Sequence, residues 1–250
     1  MSSIAHDAAS SFPGDSPLSV SYKYLDLIMA FFVAILVSSN IASSAKIVDP
    51  GFSLWGIDLI FDGGTLFFPL SYVFGDILTE VYGFRASRRV IWTGFAALAL
   101  VSLLFCVLRV LPGAGEWEGY AGDAAYDAIL GGVSTGGIAL ASLLGYWIGE
   151  FSNSVILSRM KILSRGKFLW TRTIGSTLAG ELLDSLVFVF IATLAGVFVW
   201  ADFKSLVFTN YVLKCLVEAL LTPFTYLAVR TLKRAEGIDV YDNGVRYRPF

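Results

Sequence analysis

Six ionisable side chains stand inside apolar runs long enough to cross a bilayer: Asp76, Glu150, Glu181, Asp184, Lys214 and Glu218. An acid at the centre of a spanning helix costs about 2.5–3.5 kcal/mol on insertion scales. Glu181 and Asp184 fall in one run and together cost roughly 6 kcal/mol, about what its apolar residues return. That helix therefore needs neighbours. The two acids are three positions apart, share a helix face and cannot neutralise one another. They demand protons, a countercharge or a hydrogen-bond-donating solute between them, and intramembrane acids usually line a route for solute or ion. Lys214 and Glu218, four apart, have the spacing of an ion pair along one face, which is a structural role. Glu80 is expected near a helix end, snorkelling or pairing with Arg85. Ser38, Ser39, Asn40, Ser43 and Ser44 end one run, and Ser176, Thr177 and Gly180 lead into the acidic pair. Such residues either pack helices closely or line a cavity. Tyr146 and Trp147 lie mid-run, where they pack a core or offer a flat ring to a planar ligand.

The elements holding these residues follow from composition. Of 250 residues, 56% are hydrophobic and 15% charged, with mean hydropathy +0.71. Soluble domains carry about 25% charged residues, so this chain lacks the charge to face water, and lipid is its expected solvent. A spanning helix needs about 20 mostly apolar residues. Six runs qualify, at 25–45, 64–83, 90–110, 133–157, 174–199 and 206–231. The expected organisation is a disordered leader (1–21), a six-helix transmembrane domain (22–235) and a cytoplasmic tail (236–250). Fourteen basic residues fall on one side: Lys23, Arg85, Arg88, Arg89, Arg159, Lys161, Arg165, Lys167, Arg172, Arg230, Lys233, Arg234, Arg246 and Arg248. Only Lys46, Arg109 and Lys204 fall on the other. Positive loops stay in the cytoplasm, which puts both termini there. Trp55, Trp117 and Trp200 on one side, with Trp92 and Trp170 on the other, suit interface anchoring. The fold class is an all-α multi-pass membrane protein.

Several chemistries are excluded or disfavoured. Net charge is −2, with no basic face for nucleic acid. The single histidine, His6, lies in the leader, which removes imidazole metal sites and triads. Cys106 and Cys215 sit in apolar runs and give no structural disulfide. No phosphate-binding glycine loop is present. Neither cofactor nor metal is expected.

Gly75-Asp76-Ile77-Leu78-Thr79-Glu80 in the second run matches Gly180-Glu181-Leu182-Leu183-Asp184-Ser185 in the fifth, and Ser39-Asn40 matches Ser152-Asn153. Three spans separate the members of each pair, the pattern of a 3+3 inverted repeat, whose site lies near the midplane. It puts Asp76 opposite the Glu181/Asp184 face.

These residues resemble the queuosine precursor transporters, also called the vitamin uptake transporter family. The resemblance rests on Ser38-Ser39-Asn40, Phe68-Pro69, Asp76 with Thr79-Glu80, Tyr82-Gly83 and Arg88-Arg89. Further along it rests on Glu150 with Asn153, Arg172 through Ser176, Gly180-Glu181 with Asp184-Ser185, Tyr211 with Lys214, and Tyr241-Asp242 through Pro249-Phe250. It covers about residues 22–250. It implies a bacterial inner-membrane importer of 7-cyano- or 7-aminomethyl-7-deazaguanine, precursors of queuosine in tRNA. A guanine-like base presents N1–H and NH₂ side by side, which a carboxylate accepts bidentately. On that basis Glu181 and Asp184 read the base, and Asn40, Asp76, Glu150 and Asn153 complete the cavity. Trp147 or Tyr72 stacks on the ring, and Lys214 balances charge. A second reading is the substrate-binding subunit of an energy-coupling vitamin transporter, docking through a face such as Ala30-Phe31-Phe32-Val33-Ala34. Import of another nucleobase or vitamin is a third. An intramembrane enzyme ranks last: Phe74-Gly75-Asp76 only approaches the Gly-x-Gly-Asp pattern of carboxylate-dyad proteases. Beyond its small solute and membrane lipid, a homodimer is left open.

Overall fold

The computed structural model describes residues 22–51, 53–54, 57–58, 60–134 and 136–249. The expected leader and Trp55 lie outside them. The described chain is helical but for four two-residue strands. Helix α1 (Leu25–Ala45) leads into β1 (Ile47–Val48), β2 (Ser53–Leu54), β3 (Ile57–Asp58) and β4 (Phe61–Asp62). β1 pairs antiparallel with β4, and β2 with β3. A short 3-10 turn (Gly63–Leu66) then opens α2 (Phe68–Arg109). After it come α3 (Gly115–Tyr120), α4 (Gly122–Ser134), α5 (Gly137–Leu163), α6 (Leu169–Leu194) and α7 (Phe203–Glu236). Among the described residues, five segments are long and apolar enough to cross a membrane: 25–45, 63–109, 122–163, 169–194 and 200–236.

The second and third expected runs are one segment, broken at Gly83, whose φ of 80° and ψ of 170° leave the helical region. Only glycine adopts that conformation readily. A Cβ there would also meet Val240 Cγ1 at 2.7 Å and Asp242 Oδ1 at 2.9 Å. The break gives α2 an N-terminal arm to Tyr82 and a C-terminal arm from Phe84.

Three expectations about boundaries need correction. Arg85, Arg88 and Arg89, read as loop, are in the C-terminal arm of α2, while Arg159 and Lys161 are in α5 and Arg172 in α6. Lys and Arg are good helix formers, and their long stems let the heads reach water or, at Lys161 and Arg172, acceptors buried in the bundle, so helices run on past the apolar stretch. The fifth run starts and ends about one turn earlier than the sequence predicts. The acidic segment after α2 folds as α3 and α4, and Arg109 grips Asp127 bidentately at 2.6 and 3.0 Å to tie α4 to α2. Its glycines hid this helicity.

α6 shows the polarity of the bundle. Leu178, Leu182, Leu186 and Phe190, spaced four apart, are exposed, whereas Gly180, Glu181, Asp184 and Ser185 are buried. Polar residues face inward and apolar residues outward, as lipid solvent requires. α5 packs on α6 and on α2, and α7 closes against both. Glycines set the closest approaches. A Cβ on Gly180 would sit 2.9 Å from Asn153 Cβ and 3.0 Å from the Gly149 carbonyl oxygen, neither of which can yield freely. Gly180→Ala is therefore expected to destabilise the protein by about 1–3 kcal/mol, the usual cost of overpacking. Thermal unfolding in detergent checks this; an unchanged melting point would show that α5 and α6 separate readily.

Candidate functional site

The buried polar residues lie in three groups between the 3-10 turn and the C-terminal tail. The first lines a small open cavity between α1, the 3-10 turn, α5, α6 and α7. Asn40, Asp184 and Lys214, all expected site residues, line it together with Ser43, Asp62, Thr65, Ser142, Phe188 and Asn210. Asp62 caps the 3-10 turn by accepting from the Thr65 amide at 3.1 Å, and accepts from Ser43 Oγ at 2.5 Å. The Thr65 hydroxyl lies 3.0 Å from Asp62 Oδ2 and 3.1 Å from Asn210 Oδ1. These bonds fix one wall of the cavity. Lys214 Nζ donates to Asp184 Oδ2, lies 3.4 Å from Glu181 Oε2 and stands 4.5 Å from the centre of the Phe68 ring.

Lys214 is thus the countercharge that the acidic pair demanded. It pairs across helices with α6, not along α7 with Glu218. Glu218 accepts instead from the Thr177 hydroxyl. The expected i,i+4 pair is corrected because two carboxylates on the facing helix outcompete one on its own.

Behind the cavity lies a layer of fully buried acids. Asn153 Nδ2 donates to Asp76 Oδ1 at 2.8 Å, joining α5 to the N-terminal arm of α2. Both oxygens of Glu150, both of Glu181, the Tyr72 hydroxyl, Asn153 Oδ1 and Glu218 Oε2 are buried without a hydrogen-bond partner. Gly75 makes room for Glu150, since a Cβ there would lie 2.6 Å from Glu150 Oε2. Tyr72 reaches the Gly149/Gly180 contact, where Gly180 would place a Cβ 3.1 Å from Tyr72 Cε1. A buried polar atom without a partner costs about 1–3 kcal/mol. This density of acceptors suits a solute rich in N–H groups. Trp147 stands apart, edge-on to Trp92 at 5.9 Å and to Phe151 at 5.2 Å, and does not line the cavity.

The third group seals the end away from the cavity. Glu80, fully buried, accepts from Arg172 Nε and Nη2, both at 2.8 Å, and from Lys233 Nζ at 2.6 Å. The expected partner Arg85 is replaced by cations from α6 and α7, because Glu80 points into the bundle. Lys161 uses all three protons, on the Glu80 carbonyl (2.6 Å), Asp239 (2.6 Å) and the Val240 carbonyl (2.7 Å). Asp242 accepts from the Phe84 amide at 2.9 Å and Ser158 Oγ at 2.6 Å, capping the C-terminal arm where Gly83 breaks α2. The tail is therefore part of the fold.

Partial burial pushes the Asp239 carboxyl up, but the Lys161 and Lys233 ammonium groups outweigh it and hold it below the usual carboxylate range. Its folded value lies below its unfolded one, so its contribution is complete above about pH 4 and is lost as pH falls further. Limited proteolysis should release the tail faster below that pH and at an unchanged rate between pH 6 and 8. A release step near neutral pH would contradict this.

Asp62, Thr65 and Asn210 were missed in the sequence, although Asp62-Gly63-Gly64-Thr65 carries a side-chain cap signal. The comparisons with known proteins agree with a membrane carrier. A family profile described as "Putative vitamin uptake transporter" matches residues 62–228. The chain is 27% identical over 175 residues to the "Probable queuosine precursor transporter" of Bacillus subtilis, covering 69% of this chain and 71% of that protein. It is 26% identical over 172 residues to the "Queuosine precursor transporter" of Escherichia coli, covering 68% and 69%. A Haemophilus influenzae protein with the former name is 25% identical over 160 residues, covering 63% of each chain. No solved structure matches.

Proposed function

We propose, on the premise that this chain belongs to the vitamin uptake transporter family, a family of transporters and not of enzymes, that it imports a 7-deazaguanine precursor of queuosine across a bacterial inner membrane. The observation that carries this reading is the cavity in which Asp184 and Lys214 face Asn40 and Asn210, backed by a layer of unpartnered acceptors. A guanine-like bicycle has two adjacent N–H donors for a carboxylate and ring acceptors for an ammonium or amide. Asp184 and Glu181 take the donor edge, with Lys214 holding them in place, and Asn40 contacts the far edge. Asp76, Glu150 and Asn153 complete the route behind them. Phe68, which lines the cavity, is better placed than Trp147 to meet the ring, with Tyr72 packed against it.

In this reading there are six spans. The 3-10 turn with the N-terminal arm (63–82) crosses once and the C-terminal arm again, which puts the Glu80 cluster and the tail on the cytoplasmic side. The halves before and after α4 form the inverted repeat, and the cavity opens outward. The test is uptake by purified protein in liposomes, with labelled 7-cyano- and 7-aminomethyl-7-deazaguanine, guanine and a vitamin panel, with and without a proton gradient. Saturable uptake of a deazaguanine without added partners is the expected result. Uptake of a vitamin and of neither deazaguanine would overturn the substrate, and dependence on a partner would overturn the autonomous mechanism.

A further inference from the structure

Glu150 of α5 is fully buried and, among the described residues, is the one buried acid with neither a hydrogen-bond donor nor an ion-pair partner. The other acids are provided for. Asn153 donates to Asp76, the Thr177 hydroxyl to Glu218, and Lys214 serves both Glu181 and Asp184. Lys161 and Arg172 are spent on the Glu80 cluster and the tail. Among the described residues this leaves Lys214 as the buried cation for five acids: Asp76, Glu150, Glu181, Asp184 and Glu218. The titratable groups that face Glu150 are Asp76 and Tyr72 of α2, Glu181 and Asp184 of α6 and Glu218 of α7, with Tyr146 on its own helix. None is a cation. A carboxylate so placed in low dielectric neutralises itself by taking up a proton.

The position of Glu150 links the two ends of the polar interior. Gly149, the residue before it, packs on the Tyr72 hydroxyl and on Asp184, whose Cβ would lie 2.7 Å from a Cβ built at Gly149. Asp184 lines the cavity. On its other side the Glu150 carboxyl fits against Gly75, which precedes Asp76, and Asp76 lies about one turn before Glu80 on the same arm. A hydroxyl and carboxyls thus follow one another from the cavity toward the Glu80 end. Two orphaned oxygens are costly, and a residue that served only to pack would be apolar here. Among the described residues no three acids gather closely enough to hold a metal ion, which favours a proton as the cation that this layer takes.

We infer that import is coupled to protons and that Glu150 is the residue that carries the proton, received through the cavity past Asp184 and Tyr72. This rests on the import reading and the orientation proposed above. The proton adds to a Glu150 carboxylate oxygen from the outer side and leaves that carboxyl for cytoplasmic water when the bundle opens the other way. The carboxylate is thereby regenerated, and an uncharged base brings one positive charge inward in each cycle.

The test has two arms, and the first needs no solute. Infrared spectra of the full chain in phospholipid vesicles at neutral pH should show the carbonyl stretch of a protonated carboxyl. Glu150→Gln should remove that band, and Glu116→Gln, the same change at an exposed position of α3, should keep it. Identical spectra for the parent and Glu150→Gln would overturn the inference whichever solute is carried. The second arm uses proteoliposomes with a pH-sensitive dye trapped inside. Adding 7-cyano-7-deazaguanine, an uncharged base, to the parent protein should acidify the lumen by about one proton per base taken up. Glu150→Gln should lose that acidification, and Glu116→Gln should retain it. Uptake by the parent without acidification, or uptake driven by a sodium gradient at equal pH, would overturn the coupling and leave the import reading standing. Uptake of neither this base nor its aminomethyl counterpart would overturn the import reading and the coupling with it.

Discussion

Lys214→Met is expected to abolish uptake and to destabilise the protein by about 3–5 kcal/mol, the cost of removing one partner from a buried ion pair. Lys214 is the cation that faces Glu181 and Asp184, and both are almost wholly buried. Without it, Asp184 is a buried carboxylate that shares a helix face with a second acid, Glu181. Changing Asp184→Asn in the same protein removes that charge and should recover most of the stability, since a missing pair costs far less than a broken one. Uptake should not return, because the carboxylate proposed to read the base has gone. Thermal unfolding and proteoliposome uptake on the single and double variants separate the two roles. Normal uptake by Lys214→Met, or recovered transport in the double variant, would remove this pair from the site.

A comparable loss is expected at the other end of the bundle. Glu80→Gln takes from Arg172 the carboxylate it grips and leaves Lys161 and Lys233 with Asp239, which is itself half exposed. The expected cost is again about 3–5 kcal/mol or more, because three cations lose their shared anion. Arg172→Lys should fail to preserve stability, since lysine cannot make the two parallel bonds at 2.8 Å that the guanidinium makes to Glu80. Melting temperatures of both variants within a degree or two of the parent would show that the cluster does not hold the helices together.

What the sequence disclosed and what it hid divide along a physical line. Charge in an apolar run is expensive wherever it lies, so Asp76, Glu150, Glu181, Asp184 and Lys214 were legible as site candidates, and all five are buried. Which of them meet was not legible, because helix spacing reports neighbours within one helix only. Lys214 and Glu218 satisfied the i,i+4 rule and still chose partners on α6. Glu80 was assigned to a helix end on hydropathy, whereas its contacts come from helices some 90 and 150 residues further along the chain. Asp62 and Thr65 were passed over for the opposite reason: their positions carry no penalty in sequence, and only the turn at Gly63–Leu66 brings them over the cavity to meet Asn210 of α7. The second run was read to end at Gly83, where α2 breaks, but that both arms belong to one helical segment was hidden, because the cap that holds the joint, Asp242, lies 158 residues away.

That distant cap has a consequence for how the protein is made. The amide at Phe84 belongs to an early part of the chain, while the carboxylate that satisfies it belongs to the tail. Insertion of the first helices can proceed in order, yet the junction inside α2 has no partner until residue 242 has been synthesised and has folded back. The early helices must wait in the bilayer with an open joint, exposed to quality-control proteases. Truncations before Asp242 should therefore be cleared by the cell even though every membrane-crossing segment is present.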